Sequence, residues 1–289
     1  HLKKNKPMNM PFIFFGTPEL STYTLNALEK EGLLPSAIVT APDAPQGRGL
    51  VLAPSPVKVW ALAKGIPVYT PEKIRNNEEI HALCKQFQFG ILAAYGKIIP
   101  QSILDCFPKG ILNVHPSLLP LYRGPSPLEF QILNDEKTFG VTIIKLDSEC
   151  DHGNVIAQRE ITFTETPSKQ TLGELGFSEG GKLIAQYLGP YISGVLPTLP
   201  QNHELATFTQ KIEKKDGEIL STDTERQKYL KYLAYQPWPG TFFFVEHAGK
   251  KIRLKITSAR FENNTFVIEK VIPEGKKEMP YIDFTRGFK

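Results

Sequence analysis

Five short apolar runs, residues 11–15, 37–40, 66–69, 90–94 and 111–114, set the terms on which this chain folds. Each is too short for a typical helix and too uniformly apolar for a strand with one face in water, so each is expected as a buried strand of a parallel sheet. The intervals between them leave room for crossover helices, expected near residues 20–30, 57–64 and 78–86. The pattern predicts an α/β domain with a doubly wound, Rossmann-like, parallel-rich sheet, in which ligands bind beyond the carboxyl ends of the strands. Gly16-Thr17-Pro18, Tyr95-Gly96-Lys97 and Asn113-Val114-His115 all fall at such ends. None carries the Gly-x-Gly-x-x-Gly of a dinucleotide site, which argues against NAD.

Asn113 and His115 stand two apart at the end of an apolar run, so on a strand both side chains leave the same face. Asp151 follows in a loop, residues 147–154, between expected strands at 141–146 and 155–158. An amide donor, an imidazole and a carboxylate that orients it suit stabilisation of an oxyanion in acyl transfer. No protein nucleophile is needed if the substrate brings an amine. The plainer alternative is a turn-forming Asn beside a satisfied core histidine. The loop's Asp147, Glu149, Asp151 and His152 lack calcium-loop spacing and include a single His, so no metal is expected. Cys84, Cys106 and Cys150 are odd in number and widely spaced, which points to free thiols in a reducing cytoplasm, with Cys150 inert. No run approaches the length of a membrane span. The basic residues 1–6 lack a signal-peptide core and are left out of the expected fold.

The run Asn113-Val114-His115-Pro116-Ser117-Leu118-Leu119-Pro120, with Arg123-Gly124, then residues 140–143, then Asp151 and Gly153, resembles the signature of the folate-dependent formyltransferases. These move a formyl group from 10-formyltetrahydrofolate to an amine. The resemblance implies that Asn113, His115 and Asp151 are catalytic. It implies a pterin lying against the backbone at Tyr95 and Gly96 and against the loop that begins at Asp147. Ser117, Leu118, Leu119 and Pro120 would shape the folate side of the cleft, and Arg123 would fix that segment or meet an anion. Residues 41–58, rich in proline and glycine, are expected to lack regular structure. They resemble the Pro-Asp-x-Pro-x-Gly-Arg-Gly insertion loop of the branch whose acceptor is initiator methionyl-tRNA, with Arg48 as the tRNA contact and Lys58 as its support. Ala44 stands where that branch commonly has arginine.

A helix is expected over residues 171–188 despite its glycines, and prolines at 190, 197 and 200 mark a linker. The expected organisation is a catalytic domain at 11–195, a linker at 196–207 and a small OB-like β-barrel that binds tRNA at 208–289. Strands are expected at 241–245, 251–256, 265–268 and around 281–284. Residues 206–289 carry 16 Lys and Arg against 11 Asp and Glu, a net +5, while residues 1–205 carry 18 against 19, a net −1. That asymmetry suggests a polyanionic partner for the second domain. Residues 206–219 and 236–241 extend the resemblance, which places Lys211, Lys214 and Lys215 facing tRNA, in an enzyme expected to be monomeric. Two sibling activities share the motif core, on glycinamide ribonucleotide and on nucleotide-linked amino sugars. A catalytically silent tRNA-binding protein is the reading from another class.

Overall fold

The computed structural model describes residues 10–46, 51–247 and 249–287. They fall into two compact units, residues up to 123 with 139–161 and 173–208, and residues 124–138 with 162–172 and 209 onward. The stretch 196–207, expected as a linker, lies within the first unit.

The chain runs through β1 (Ile13–Phe15), α1 (Glu19–Lys30), β2 (Ala37–Val39), β3 (Ala44–Gln46), β4 (Val51–Ala53), α2 (Pro56–Leu62), β5 (Val68–Tyr69), α3 (Glu78–Cys84), β6 (Gly90–Ala93), α4 (Gln101–Leu104) and β7 (Ile111–His115). It continues through α5 (Pro127–Leu133), β8 (Thr138–Lys145), β9 (Val155–Thr162) and the long α6 (Lys169–Ile192). The main sheet has the order β5-β2-β1-β6-β7-β8-β9. Pairing is parallel from β5 to β7, and β8 runs antiparallel to β7. From β1 the chain steps outward through β2 and β5, then returns to place β6 and β7 on the other side. The order therefore reverses between β1 and β6, the place where the carboxyl ends of such strands open a crevice.

Alternation along the strands feeds two cores. Phe12, Phe14, Leu112 and Val114 pack with Leu25 and Leu28 of α1 and Phe177 and Leu183 of α6. Ile13, Phe15, Leu92 and Ile111 pack on the other face with Ile80 of α3 and Ile103 of α4. Burial on both faces is why these runs are so largely apolar. Two of the glycines of α6, each costing about 1 kcal/mol relative to Ala in a helix interior, are sites of close approach. A Cβ at Gly180 would lie 2.3 Å from a methyl of Val114, and one at Gly181 would lie 2.7 Å from Ala27 Cβ on α1.

Residues 41–58 are not wholly irregular, because β3 and β4 pair as a short antiparallel ribbon with Ala44 opposite Ala53. The proline-rich composition concealed it, although a two-stranded ribbon at no sheet's centre tolerates a proline.

In the second unit, α7 (Glu225–Tyr235) precedes β10 (Thr241–His247), β11 (Lys250–Glu262), β12 (Thr265–Pro273), β13 (Met279–Pro280) and α8 (Tyr281–Arg286). The strands form an antiparallel meander in chain order. Thr224 and Gln227 close a capping box on α7, a start signal that the sequence reading passed over. Residues 281–284, expected as a strand, open α8 instead. Tyr281 and Phe284 stack at helical i,i+3 spacing, 6.5 Å apart, and Phe284 joins Leu254 and Val271 in the core. A short apolar run does not distinguish the two periods.

Asp135 anchors this unit. The Arg226 guanidinium donates to both carboxylate oxygens and Thr166 donates its hydroxyl at 2.7 Å. The Arg226 hydrogen bond, foremost, holds the carboxyl well below its ordinary value of 3.8. A depressed carboxylate stabilises the fold above its unfolded pKa and loses that contribution as pH falls. Asp135→Asn is expected to cost about 1 kcal/mol at neutral pH, since the pair is partly exposed and screened. Urea midpoints at pH 7 and pH 3 check this, with the difference between variant and parent shrinking at pH 3.

Candidate active site

β7 lies between β6 and β8, with Leu92 beside Asn113 and Thr142 beside His115. Leu112 and Val114 point into the core beneath α1 and α6, so Asn113 and His115 point the other way, as their spacing requires. Both are nearly buried, 6% and 4% exposed. His115 Nε2 donates to the Tyr122 carbonyl at 3.0 Å, and Nδ1 lies 3.4 Å from Asp151 Oδ1. The carbonyl can only accept, which makes Nε2 the protonated nitrogen of the neutral ring. A second proton would sit on Nδ1, facing the carboxylate.

The local backbone is shaped for this meeting. Asp151 has φ 50° and Tyr122 has φ 61°, left-handed conformations that non-glycine residues seldom adopt. Ala94, at the end of β6, has φ 48°. Such outliers cluster where surrounding structure fixes them for function. Beside Asp151 the loop turns so tightly that a Cβ at Gly153 would fall 1.8 Å from the Lys145 carbonyl oxygen, so only glycine fits. The segment after β7 is pinned as well. Ser117 donates its hydroxyl to the Leu121 carbonyl at 2.7 Å, and Thr142 donates to the Ser117 carbonyl at 2.6 Å while accepting from the Leu119 amide. Gln158 donates to the Leu119 carbonyl at 2.6 Å. Leu118, Leu119 and Pro120 are thereby held in one course beside His115.

The other expected residues fall variously. Tyr95 turns its ring into the core against Phe15, and burial, aided by Cys84, raises its phenol to about 12. The backbone at Tyr95 and Gly96 is what stands at the strand end. Burial likewise raises the Cys84 thiol to about 12. Cys150 is exposed, its Sγ 3.5 Å from Asp151 Oδ2. Asp147 accepts from the Glu149 amide and pairs with His152 Nδ1 at 2.6 Å, which braces the loop from within. Lys58 is paired with Asp43 at 2.7 Å, at the base of the β3–β4 ribbon. Arg48 lies outside the described residues. Lys211, Lys214 and Lys215 are exposed, the last paired with Glu213 at 2.9 Å. Among the described residues no group of side chains is arranged to hold a metal ion.

One feature escaped the sequence reading. On the face of the β10–β11 ribbon opposite the one that carries Leu254, Phe242, itself buried, lies opposite Lys255, Phe244 opposite Arg253 and Glu246 opposite Lys251. The Arg253 guanidinium stacks 3.8 Å over Phe242, and Lys251 lies 4.3 Å over Phe244. The alternation of cations with apolar residues from 251 to 256 was the signal: its polar positions are all of one sign.

A family model described as "Formyl transferase" matches residues 8–188. The chain is 40% identical over 246 residues to a methionyl-tRNA formyltransferase of Chloroflexus aggregans, covering 85% of this chain and 79% of that protein. It is 34% identical over 300 residues to one from Koribacter versatilis, covering 97% and 96%. Among solved structures, the methionyl-tRNA formyltransferase from Clostridium thermocellum superposes with a TM-score of 0.61 at 17% identity, covering 94% of this chain and 99% of that one, a likeness of fold.

Gly153→Ala is expected to lower stability by about 2 kcal/mol, because the added methyl must displace backbone. The urea midpoint should fall with an unchanged slope, whereas a parent-like midpoint would show that the loop has room at this position.

Proposed function

The chain belongs to the formyl transferase family, and from that premise we propose that it transfers the formyl group of 10-formyltetrahydrofolate to the α-amino group of initiator methionyl-tRNA. The products are N-formylmethionyl-tRNA and tetrahydrofolate, and the reaction serves translation initiation. The observation that carries this reading is the convergence of Asn113, His115 and Asp151 in a chain that matches methionyl-tRNA formyltransferases along nearly its whole length. The basic second unit has a use with tRNA, and none with glycinamide ribonucleotide.

The amine nitrogen attacks the formyl carbon, and the carbonyl oxygen takes up negative charge. Asn113 donates its amide to that oxygen. His115 supplies positive charge and Nδ1, the nitrogen it shares with Asp151, because Nε2 is committed to Tyr122. As the bond from carbon to folate N10 breaks, the amine loses a proton and N10 gains one, relayed through His115 and a water beside Asp151. One oxyanion donor is typically worth about 10²–10³ in rate. The backbone at Tyr95 and Gly96 and the segment from Ser117 to Pro120 take the folate, with Asp147 bracing the loop. Arg48 contacts tRNA with Lys58 holding the base of its loop, and Lys211, Lys214, Lys215 and the cation ladder on β11 face tRNA phosphates. We assign catalysis to residues 11–195 and tRNA binding to 208–289. We take the protein to act as a monomer; the free thiols fit the reducing cytoplasm, and no helix among the described residues is long and apolar enough to cross a membrane.

Assaying the protein with 10-formyltetrahydrofolate against methionyl-tRNA, glycinamide ribonucleotide and a nucleotide-linked amino sugar tests the reading, with turnover expected on methionyl-tRNA alone. Asn113→Ala, His115→Ala and Asp151→Ala should each lower kcat by about 10²-fold or more with tRNA affinity nearly unchanged. Their losses should not add, since they serve one oxygen. Replacing Lys251, Arg253 and Lys255 together by Ala should weaken tRNA binding and make log affinity against log salt shallower by roughly 0.7–0.9 for each phosphate that is no longer neutralised. An unaltered slope would remove this face from the tRNA site.

A further inference from the structure

We propose that Gln201 is a positioning residue for the reaction, the tie through which Arg123 holds the Asp151 loop against His115. The inference rests on the formyl-transfer reading and deepens it. Gln201 is 7% exposed and Arg123 4% exposed. Gln201 Oε1 accepts from Arg123 Nε at 3.1 Å and from Nη2 at 2.6 Å. Its Nε2 donates to the Asp151 carbonyl and to the Gly153 carbonyl, each at 2.8 Å. Two guanidinium donors on one side and two carbonyl acceptors on the other fix the orientation of the amide, because a flipped amide would oppose like to like at all of them. Arg123 Nη2 also donates to His203 Nδ1 at 2.8 Å, and the His203 ring stacks 4.0 Å from that of His152, the residue between the two pinned carbonyls.

These contacts close a ring. His115 donates to Tyr122, Tyr122 precedes Arg123, Arg123 donates to Gln201, Gln201 donates to the backbone of Asp151, and the Asp151 carboxylate returns to His115. Carbonyls pinned on both sides of residue 152 fix the turn, and with it the direction of the Asp151 Cα–Cβ bond. Asp151 holds a left-handed φ, which Asp tolerates better than most side chains but which is still less favourable than the right-handed region, so the turn gains from an external constraint. Gln201 supplies one. It sits in a stretch whose composition reads as a linker, fifty residues from Asp151 in sequence.

The variants are Gln201→Met, close in length but without donors or acceptors, and Gln201→Glu, which keeps the acceptors for Arg123 and loses both donors to the loop. Each is made in the parent and in Asp151→Ala. Methionyl-tRNA turnover should fall about tenfold or more in the parent background, the scale expected when a catalytic group is displaced by a fraction of an ångström. KM for folate and for tRNA should change less than about twofold. In the Asp151→Ala background the same substitutions should change kcat by less than about twofold, since the group they position is gone. Equal losses in both backgrounds, or unchanged kcat for both variants, would overturn the proposal. Imidazole NMR of His115 provides a readout independent of substrate. Its Nδ1 resonance should move in Gln201→Met in the direction it moves in Asp151→Ala, and a resonance identical to the parent's would also overturn the tie. A parent enzyme inactive on methionyl-tRNA would refute the acceptor assignment, while the NMR comparison would still decide the role of Gln201.

Discussion

An imidazole buried at the end of a strand must find partners for both ring nitrogens, because an unsatisfied buried polar group costs on the order of 1–3 kcal/mol. With both nitrogens protonated, His115 meets that demand from two directions, donating to a carbonyl at Nε2 and facing a carboxylate at Nδ1. Both partners come from residues in left-handed backbone. Neither would stand there without other contacts to hold it, so satisfying one histidine organises two loops. The segment after β7 is held by Thr142 and Gln158, and the loop after β8 by the close turn at Gly153 and by Gln201. A site with these constraints has its charges and dipoles fixed before a substrate arrives, which is the condition under which electrostatic stabilisation is effective.

Much of the frame was legible in the sequence because burial on both faces of a sheet leaves a direct trace. Phe12 to Phe15 and Gly90 to Ala93 are apolar without interruption, Ile111 to Val114 is broken only by Asn113, and each became an inner strand. The antiparallel second unit was legible through alternation, which runs through β11 from Lys251 to Ile256. Short elements at the margins were not. The ribbon of β3 and β4 hides among prolines, and Tyr281 to Phe284 satisfies strand and helix patterns equally over so few residues. In α6 the glycines lower helix propensity, and only the proximity of Val114 and Ala27 explains why Gly180 and Gly181 are there.

The site divides along the same line. Asn113 and His115 are two apart on one strand, and local periodicity puts them on one face without further information. Asp151 reaches His115 across 36 positions of sequence, and no local rule delivers that contact; resemblance pointed to it, and the fold gives it a distance. Lys58 follows the same course. Resemblance made it the support of Arg48 at the tRNA contact, and the fold adds that its ammonium pairs with Asp43, fifteen residues away, at the base of the ribbon. The sign of a side chain is visible in sequence. What neutralises it is not.

Gln201 carries this furthest. A neutral residue in a polar, proline-flanked stretch offers no pattern to a reader of sequence, and its value lies in having both a donor and an acceptor at the end of one side chain. Arg123 would approach the loop carbonyls directly as a charge, but its fork is a set of donors spaced for two acceptors on one group, whereas Asp151 and Gly153 present theirs on separate peptides. The amide converts one geometry into the other. It accepts from the fork at one end and divides its two hydrogens between the peptides at the other. Because Arg123, Gln201 and Gly153 are buried and Asp151 is half-buried, these bonds act in a medium of lower dielectric than water, and breaking one leaves an arginine or an amide with little water to replace its partner. The rigidity of the Asp151 loop thus follows from desolvation as much as from the number of hydrogen bonds, and a stretch that the sequence marks as a connector becomes part of what orients Asp151.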